Sequence, residues 1–112
     1  METLVEKVGD VQILHLRGRL DLSASEEFGG LLTGIISGGG KKIILDCRDL
    51  LYVSSSGLGA FIAGGKQLGP DGKLTFAAMN RHVQNVFEMT GIIDLFSVCG
   101  TKEDALRMLA AE

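Results

Sequence analysis

Along its whole length the sequence switches between apolar residues spaced by two and apolar residues spaced by three or four. That is the pattern of strands interleaved with helices, and so of a largely parallel sheet. Leu4 to Val8 and Val11 to Leu20 read as strands joined by a two-residue turn, Gly9-Asp10, which predicts an antiparallel hairpin. Ser23 with Glu26 has the spacing of a capping box, opening a helix whose buried stripe is Ala24, Phe28, Leu31, Leu32, Ile35 and Ile36 and whose end is Gly38 to Gly40. Lys42 to Cys47 reads as a central strand buried on both faces, followed by a connector, Arg48 to Val53. Leu58, Phe61, Ile62 and Gly65 mark a second helix, with Gly64 and Gly65 expected to permit close contact with a neighbouring element.

The remaining segments continue the alternation. Lys73 to Met79 is a strand, Asn80 caps a third helix carrying Val83, Val86 and Phe87, and Gly91 closes it. Leu95 to Val98 gives a last strand, and Thr101 with Asp104 opens a final helix through Leu109. The order is ββαβαβαβα: an α/β chain with a single open mixed, mostly parallel sheet of about five strands and four helices. No repeat or linker divides the 112 residues, so one domain is expected. Right-handed crossovers bring the strand ends near Leu20, Cys47 and Met79 to one rim, where functional residues of such sheets sit. The candidates there are Asp21, the triplet Ser54 to Ser56, and Asn80.

Composition removes several classes of function. Eleven Lys and Arg against 14 Asp and Glu leave a net charge of −3, with no basic field for a phosphate backbone, so nucleic acid is not an expected partner. Aromatic residues are 5% of the chain, too few for a base-stacking platform. No apolar run approaches the length of a membrane span, and the first ten residues lack a signal core, which predicts a soluble, cytoplasmic protein with no membrane insertion. Cys47 and Cys99 lack CxxC spacing or a neighbouring His, so both are expected to be buried thiols and no metal is expected.

Phosphate-binding loops fail on inspection: Gly57-Leu58-Gly59 would need glycine where Ile62 stands, and no Gly-x4-Gly-Lys-Ser/Thr occurs. A receiver domain would place its phosphoacceptor near Asp46, but the acidic pair that holds its Mg²⁺ is replaced by Val8-Gly9-Asp10. His15 and His82 have no nucleophile placed beside them and read as structural or surface residues; Asp46 and Asp49 read as turn and capping residues. No cofactor is expected.

The serine triplet is more specific. Three small hydroxyl residues followed by Gly-Leu-Gly lie at the start of a helix, where a phosphoryl group would face free amides and the positive end of the helix dipole. Ser54-Ser55-Ser56-Gly57-Leu58-Gly59 resembles the Asp-Ser-Ser/Thr-Gly-Leu-Gly signature of STAS domains, in particular of bacterial anti-sigma factor antagonists. Gly18-Arg19-Leu20-Asp21 resembles that family's Gly-x-Leu-Asp, Lys42 to Asp46 its central strand, and Val86 to Ile92 the end of its third helix. Together these stretches span almost the whole chain.

The resemblance implies a non-enzymatic switch that binds a serine-kinase anti-sigma factor when unphosphorylated and is released when phosphorylated, a serine phosphatase restoring it. By the same resemblance Ser55 is the acceptor, Asp21 the acidic neighbour, Ser56 the adjacent hydroxyl and Gly57 the backbone turn. The contact surface is expected on the rim and the exposed side of the second helix, including Leu58 and Gly59. One departure stands out: the family's Asp is Ser54 here, so a negative charge beside the acceptor is missing. Two other readings compete: a constitutive STAS adaptor in a transport or signalling complex, and an enzyme with a rim site of Asp21, Ser55 and Asn80, which lacks an evident base or cofactor loop.

Overall fold

The computed structural model describes residues 1–110. Its elements are β1 (Glu2–Val8), β2 (Val11–Leu20), α1 (Leu22–Ser37), β3 (Lys42–Val53), α2 (Ser55–Leu68), β4 (Lys73–Ala77), α3 (Arg81–Thr90), β5 (Ser97–Cys99) and α4 (Lys102–Ala110), with 3₁₀ turns at Gly69–Asp71 and Ile92–Leu95. The strands form one sheet in the order β1-β2-β3-β4-β5. The hairpin is antiparallel, with Val8 opposite Val11, and each later pairing is parallel.

Strand alternation divides the core between the two faces of the sheet. Leu14, Leu16, Ile43, Leu45, Leu74 and Phe76 face a large cluster with Phe28 and Leu32 of α1, Phe61 of α2, and Val83 and Phe87 of α3. Phe61 sits at its centre, with ring centroids 5.6 Å from Phe28 and 4.9 Å from Phe76, both edge to face. The opposite face is smaller: Val11, Ile13, Ile44 and Ala77 pack under Ala105 and Leu109 of α4. Gly64 makes the close approach foreseen for it, since a Cβ there would lie 2.5 Å from Leu32 Cδ2 of α1.

Several boundaries differ from the sequence expectation, each for a local reason. α1 is capped by Asp21, whose carboxylate accepts the Ala24 N–H at 2.9 Å, and not by Ser23 with Glu26. β2 ends at Leu20, so Asp21 is the single residue between strand and helix and its side chain reaches the first-turn amides first. Of the expected helix stripe, Ala24, Phe28 and Leu32 are buried and Ile35 and Ile36 half-buried, whereas Leu31 is exposed, against the expectation.

The connector Arg48 to Val53 is strand. β3 stays paired with β2 as far as Leu20↔Val53 by taking up one extra residue between the Asp46 and Asp49 pairings and another between those of Leu50 and Tyr52. These bulges break the period of two, which hid the strand from a pattern search. β4 stops at Ala77 because Ala78 turns into the left-handed region, φ 60°. The final strand begins at Ser97, after a 3₁₀ turn that leaves Leu95 exposed. Cys47 is buried, and burial drives its thiol far above the ordinary range, but Cys99 is partly exposed and does not match the expectation of a buried thiol.

On the second face, β1, β2 and β3 are tied by side chains. His15 places Nδ1 2.8 Å from Asp46 Oδ2 and Nε2 2.9 Å from Glu6 Oε1. Lys102 Nζ of α4 lies 3.8 Å from the same Glu6 oxygen, and Asp46 Oδ1 accepts the Arg48 N–H. Asp46 is therefore a structural capping group, and Asp49 faces Arg17 at 3.9 Å instead. Among the described residues no helix is long and apolar enough to cross a membrane.

Candidate functional site

β2, β3 and β4 run parallel, and each hands over to a helix through a polar N-cap at the same rim. Asp21 caps α1, Ser54 caps α2 by accepting the Gly57 N–H at 3.1 Å, and Asn80 caps α3 by accepting the Val83 N–H at 2.8 Å. These are the three positions singled out in the sequence. Both ends of the Asn80 amide are engaged, since its Nδ2 also donates to the Leu50 carbonyl at 2.9 Å, fastening α3 to β3. Its role in the structure is to fix that corner.

The serine side of the rim is more closely knit. Ser54 N–H donates to the Leu20 carbonyl at 2.9 Å, joining the ends of β2 and β3. Ser54 Oγ lies 2.8 Å from Ser56 Oγ and 3.5 Å from Ser25 Oγ, and Ser25 Oγ donates to the Asp21 carbonyl at 2.6 Å. A hydroxyl carries one proton, so Ser54 is committed to its cap and to these neighbours. Ser25 was not among the sequence candidates. It is buried on the first turn of α1, four residues after Asp21, a helical spacing that places it beneath the cap.

Ser55 differs from its neighbours. It is the first residue of α2, is exposed, and its hydroxyl has no hydrogen-bond partner among the described residues. The first turn of α2 contains no acidic side chain, so nothing there offsets the positive end of the helix dipole. Gly57 lets the helix settle onto the strand ends: a Cβ would lie 2.8 Å from Leu20 Cδ2 and 2.9 Å from Val53 Cγ2. Leu58, expected on the contact surface, turns inward at 7% exposure, because position four of this helix faces the core; Gly59 is exposed.

Next to the serines lies a feature the sequence did not reveal. Arg19 of β2 stacks its guanidinium over Tyr52 of β3, 4.4 Å from the ring centroid, and His82 of α3 lies against that ring at 6.4 Å and 19°. The three residues are far apart in sequence and meet only through strand pairing and the seating of α3, so no local pattern marks them.

A sheet with this order, helices on unequal faces and a serine-capped helix at the strand ends defines a STAS architecture. The STAS domain model matches residues 2–105, and the chain belongs to that family. A Bordetella bronchiseptica protein that carries the name of anti-sigma factor antagonist, BtrV, is 29% identical over 106 residues, covering 94% of this chain and 91% of the relative. The anti-sigma-B factor antagonist of Staphylococcus aureus is 30% identical over 82 residues, covering 72% and 76%. The fold matches an anti-sigma factor antagonist from Mycobacterium paratuberculosis with a TM-score of 0.89 at 20% identity, over 96% of this chain and 92% of that one. It also matches the antagonist SpoIIAA in its unphosphorylated form, with a TM-score of 0.77 at 22% identity over 99% and 100%.

Proposed function

We propose that this chain is an anti-sigma factor antagonist, a non-enzymatic cytoplasmic domain that binds a serine-kinase anti-sigma factor and is released when Ser55 is phosphorylated, a serine phosphatase reversing the change. The observation that carries this reading is the division of labour in the triplet. Ser54 and Ser56 hydroxyls are engaged with one another and with the cap, while Ser55 alone is exposed and unengaged among the described residues. The relatives named as antagonists support it, as does a structural match to SpoIIAA in its phosphorylated form, with a TM-score of 0.77.

The physics is local. A phosphoserine brings about −1.5 to −2 charges to the first position of α2, where the dipole and free amides tolerate them, so the scaffold persists. A partner docked on that rim then meets like charge and desolvation. A penalty of about 2 to 3 kcal/mol lowers affinity roughly 30- to 150-fold, enough to exchange partners. Ser54, which replaces the acidic residue of the family signature, still supplies the cap that the fold requires.

The test is incubation with a serine-kinase anti-sigma factor and ATP, followed by intact mass and peptide mapping. One phosphoryl group on Ser55 is expected; Ser55→Ala binds the partner and stays unmodified, and Ser55→Asp binds weakly. Equal affinity of the two variants, or a phosphoryl group on Ser54 or Ser56, overturns the proposal. A chain that binds partners but is never modified would be a constitutive adaptor instead.

A further inference from the structure

β1 is an outer strand of the sheet and, among the described strands, pairs with β2 alone. The two-residue turn makes Val8 and Val11 a hydrogen-bonded pair. By alternation Glu2, Leu4, Glu6 and Val8 turn their backbone groups toward β2, and Thr3, Val5 and Lys7 turn theirs outward. Those outward amides and carbonyls have no backbone partner among the described residues. Neither a proline nor a bulge, two common guards of such an edge, interrupts the strand. Leu4, Val5 and Val8 are 51, 50 and 42% exposed.

The charges along this edge select its occupant. An antiparallel copy is related by a two-fold axis normal to the sheet, which brings together residues of the same face. With the axis at Val5 the strand overlaps its copy from end to end: Val5 meets itself, Thr3 the copy's Lys7, Leu4 the copy's Glu6 and Glu2 the copy's Val8. No like charges stand opposite one another. An axis at Leu4 sets Glu2 against Glu6, and an axis at Glu6 sets that residue against itself, so both neighbouring registers are penalised. Glu2 and Glu6 are already held by Arg17 and by His15 with Lys102, whereas Lys7 and Glu27 are exposed and have no ion pair among the described residues. Glu27 of α1 lines a depression with Thr3, Phe28 and Leu31. A Lys7 placed opposite Thr3 therefore lays its aliphatic stem over that depression and brings its ammonium toward Glu27.

We propose that β1 takes a second copy of this chain, pairing antiparallel with its β1 about a two-fold axis at Val5 and joined by two Lys7–Glu27 contacts between copies. The product is a closed dimer with one continuous sheet of ten strands, five from each copy. Because β2 of one copy then runs opposite to β2 of the other, the two serine rims open at opposite ends of the dimer and neither is covered. The dimer stands on the edge strand alone and is independent of the phosphorylation switch.

The test is sedimentation velocity on the whole chain from about 10 µM to about 1 mM, a span suited to a small interface, with amide hydrogen exchange followed at both ends of it. A reversible monomer–dimer equilibrium is expected, with the Thr3, Val5 and Lys7 amides gaining protection as concentration rises and those of Leu4 and Glu6 unchanged. Val5→Pro removes the donor at the axis and spares the ladder to β2, so association falls at least about tenfold while circular dichroism stays the same. Lys7→Glu and Glu27→Lys each weaken the dimer about fivefold, and the two together restore it, a result that loss of folding cannot produce. A monomer throughout the range overturns the proposal, and so do species larger than a dimer. A dimer that ignores Val5→Pro and the charge exchange uses another face and overturns it as well.

Discussion

His15 is held between carboxylates on two neighbouring strands, and replacing it with alanine is expected to cost stability in a pH-dependent way. Burial alone would pull its pKa down; the hydrogen bonds to Glu6 and Asp46, with the charge of Asp46, outweigh that and the opposing charge of Lys102, and leave it above the ordinary 6.5. The Asp46 side chain is only 13% exposed, and among the described residues its Oδ2 has no other hydrogen bond to keep once the imidazole is removed. A charge-assisted bond of this kind is worth about 1.5 to 3 kcal/mol; Glu6 is exposed and is left out of the sum. We therefore expect His15→Ala to lose about 2 kcal/mol at about pH 5.5, where the imidazolium donates to both carboxylates. About 1 kcal/mol should remain once the pH has risen through the raised folded value, where a neutral ring keeps one donor.

The sign follows from linkage. A pKa raised on folding adds stability that is fully present below the unfolded value near 6.5 and is lost as pH rises through the folded value. Glu6, lowered from 4.5 mainly by its hydrogen bond to His15, acts in the opposite sense and withdraws its share as pH falls through its folded value. The gap between wild type and variant should therefore be widest between the two values. Urea unfolding followed by circular dichroism at a series of pH values measures it directly. A gap that is flat, or that widens towards alkaline pH, refutes the reasoning.

Two further substitutions test how the rim is built. Gly57→Ala forces a methyl group against Leu20 and Val53 and should destabilise by about 1 to 3 kcal/mol in denaturant melts; an unchanged midpoint would mean that α2 can lift off the strand ends freely. Ala78→Gly relieves a left-handed backbone in an alanine and should stabilise by about 0.5 to 1 kcal/mol, read as a rise in melting temperature.

The elements legible in the sequence were those with intact periodicity. The Gly9-Asp10 hairpin, the helix carrying Val83 and Phe87 and its Asn80 cap, and the parallel order of β2, β3 and β4 follow from local spacing and the handedness of crossovers. The far half of β3 did not, because two bulges shift the inward residues from Leu50 to Val53. The first helix cap was misplaced because Ser23 with Glu26 fits the capping box as well as Asp21 fits a simple cap, and only the abrupt end of β2 decides between them. At the site, the serines and Asp21 were visible as residue types, but the burial of Ser25 beneath them and the stacking of Arg19, Tyr52 and His82 depend on contacts between distant segments.

The junctions at Asp21 and Ser54 are each one residue long, and both are pinned by hydrogen bonds to backbone. Such an edge has no slack: a group arriving there cannot be accommodated by a swinging loop, because there is no loop to swing. Information written on this rim must then be carried as electric potential and bulk on a stationary surface, and the speed of any response belongs to encounter and dissociation and not to refolding of the receiver.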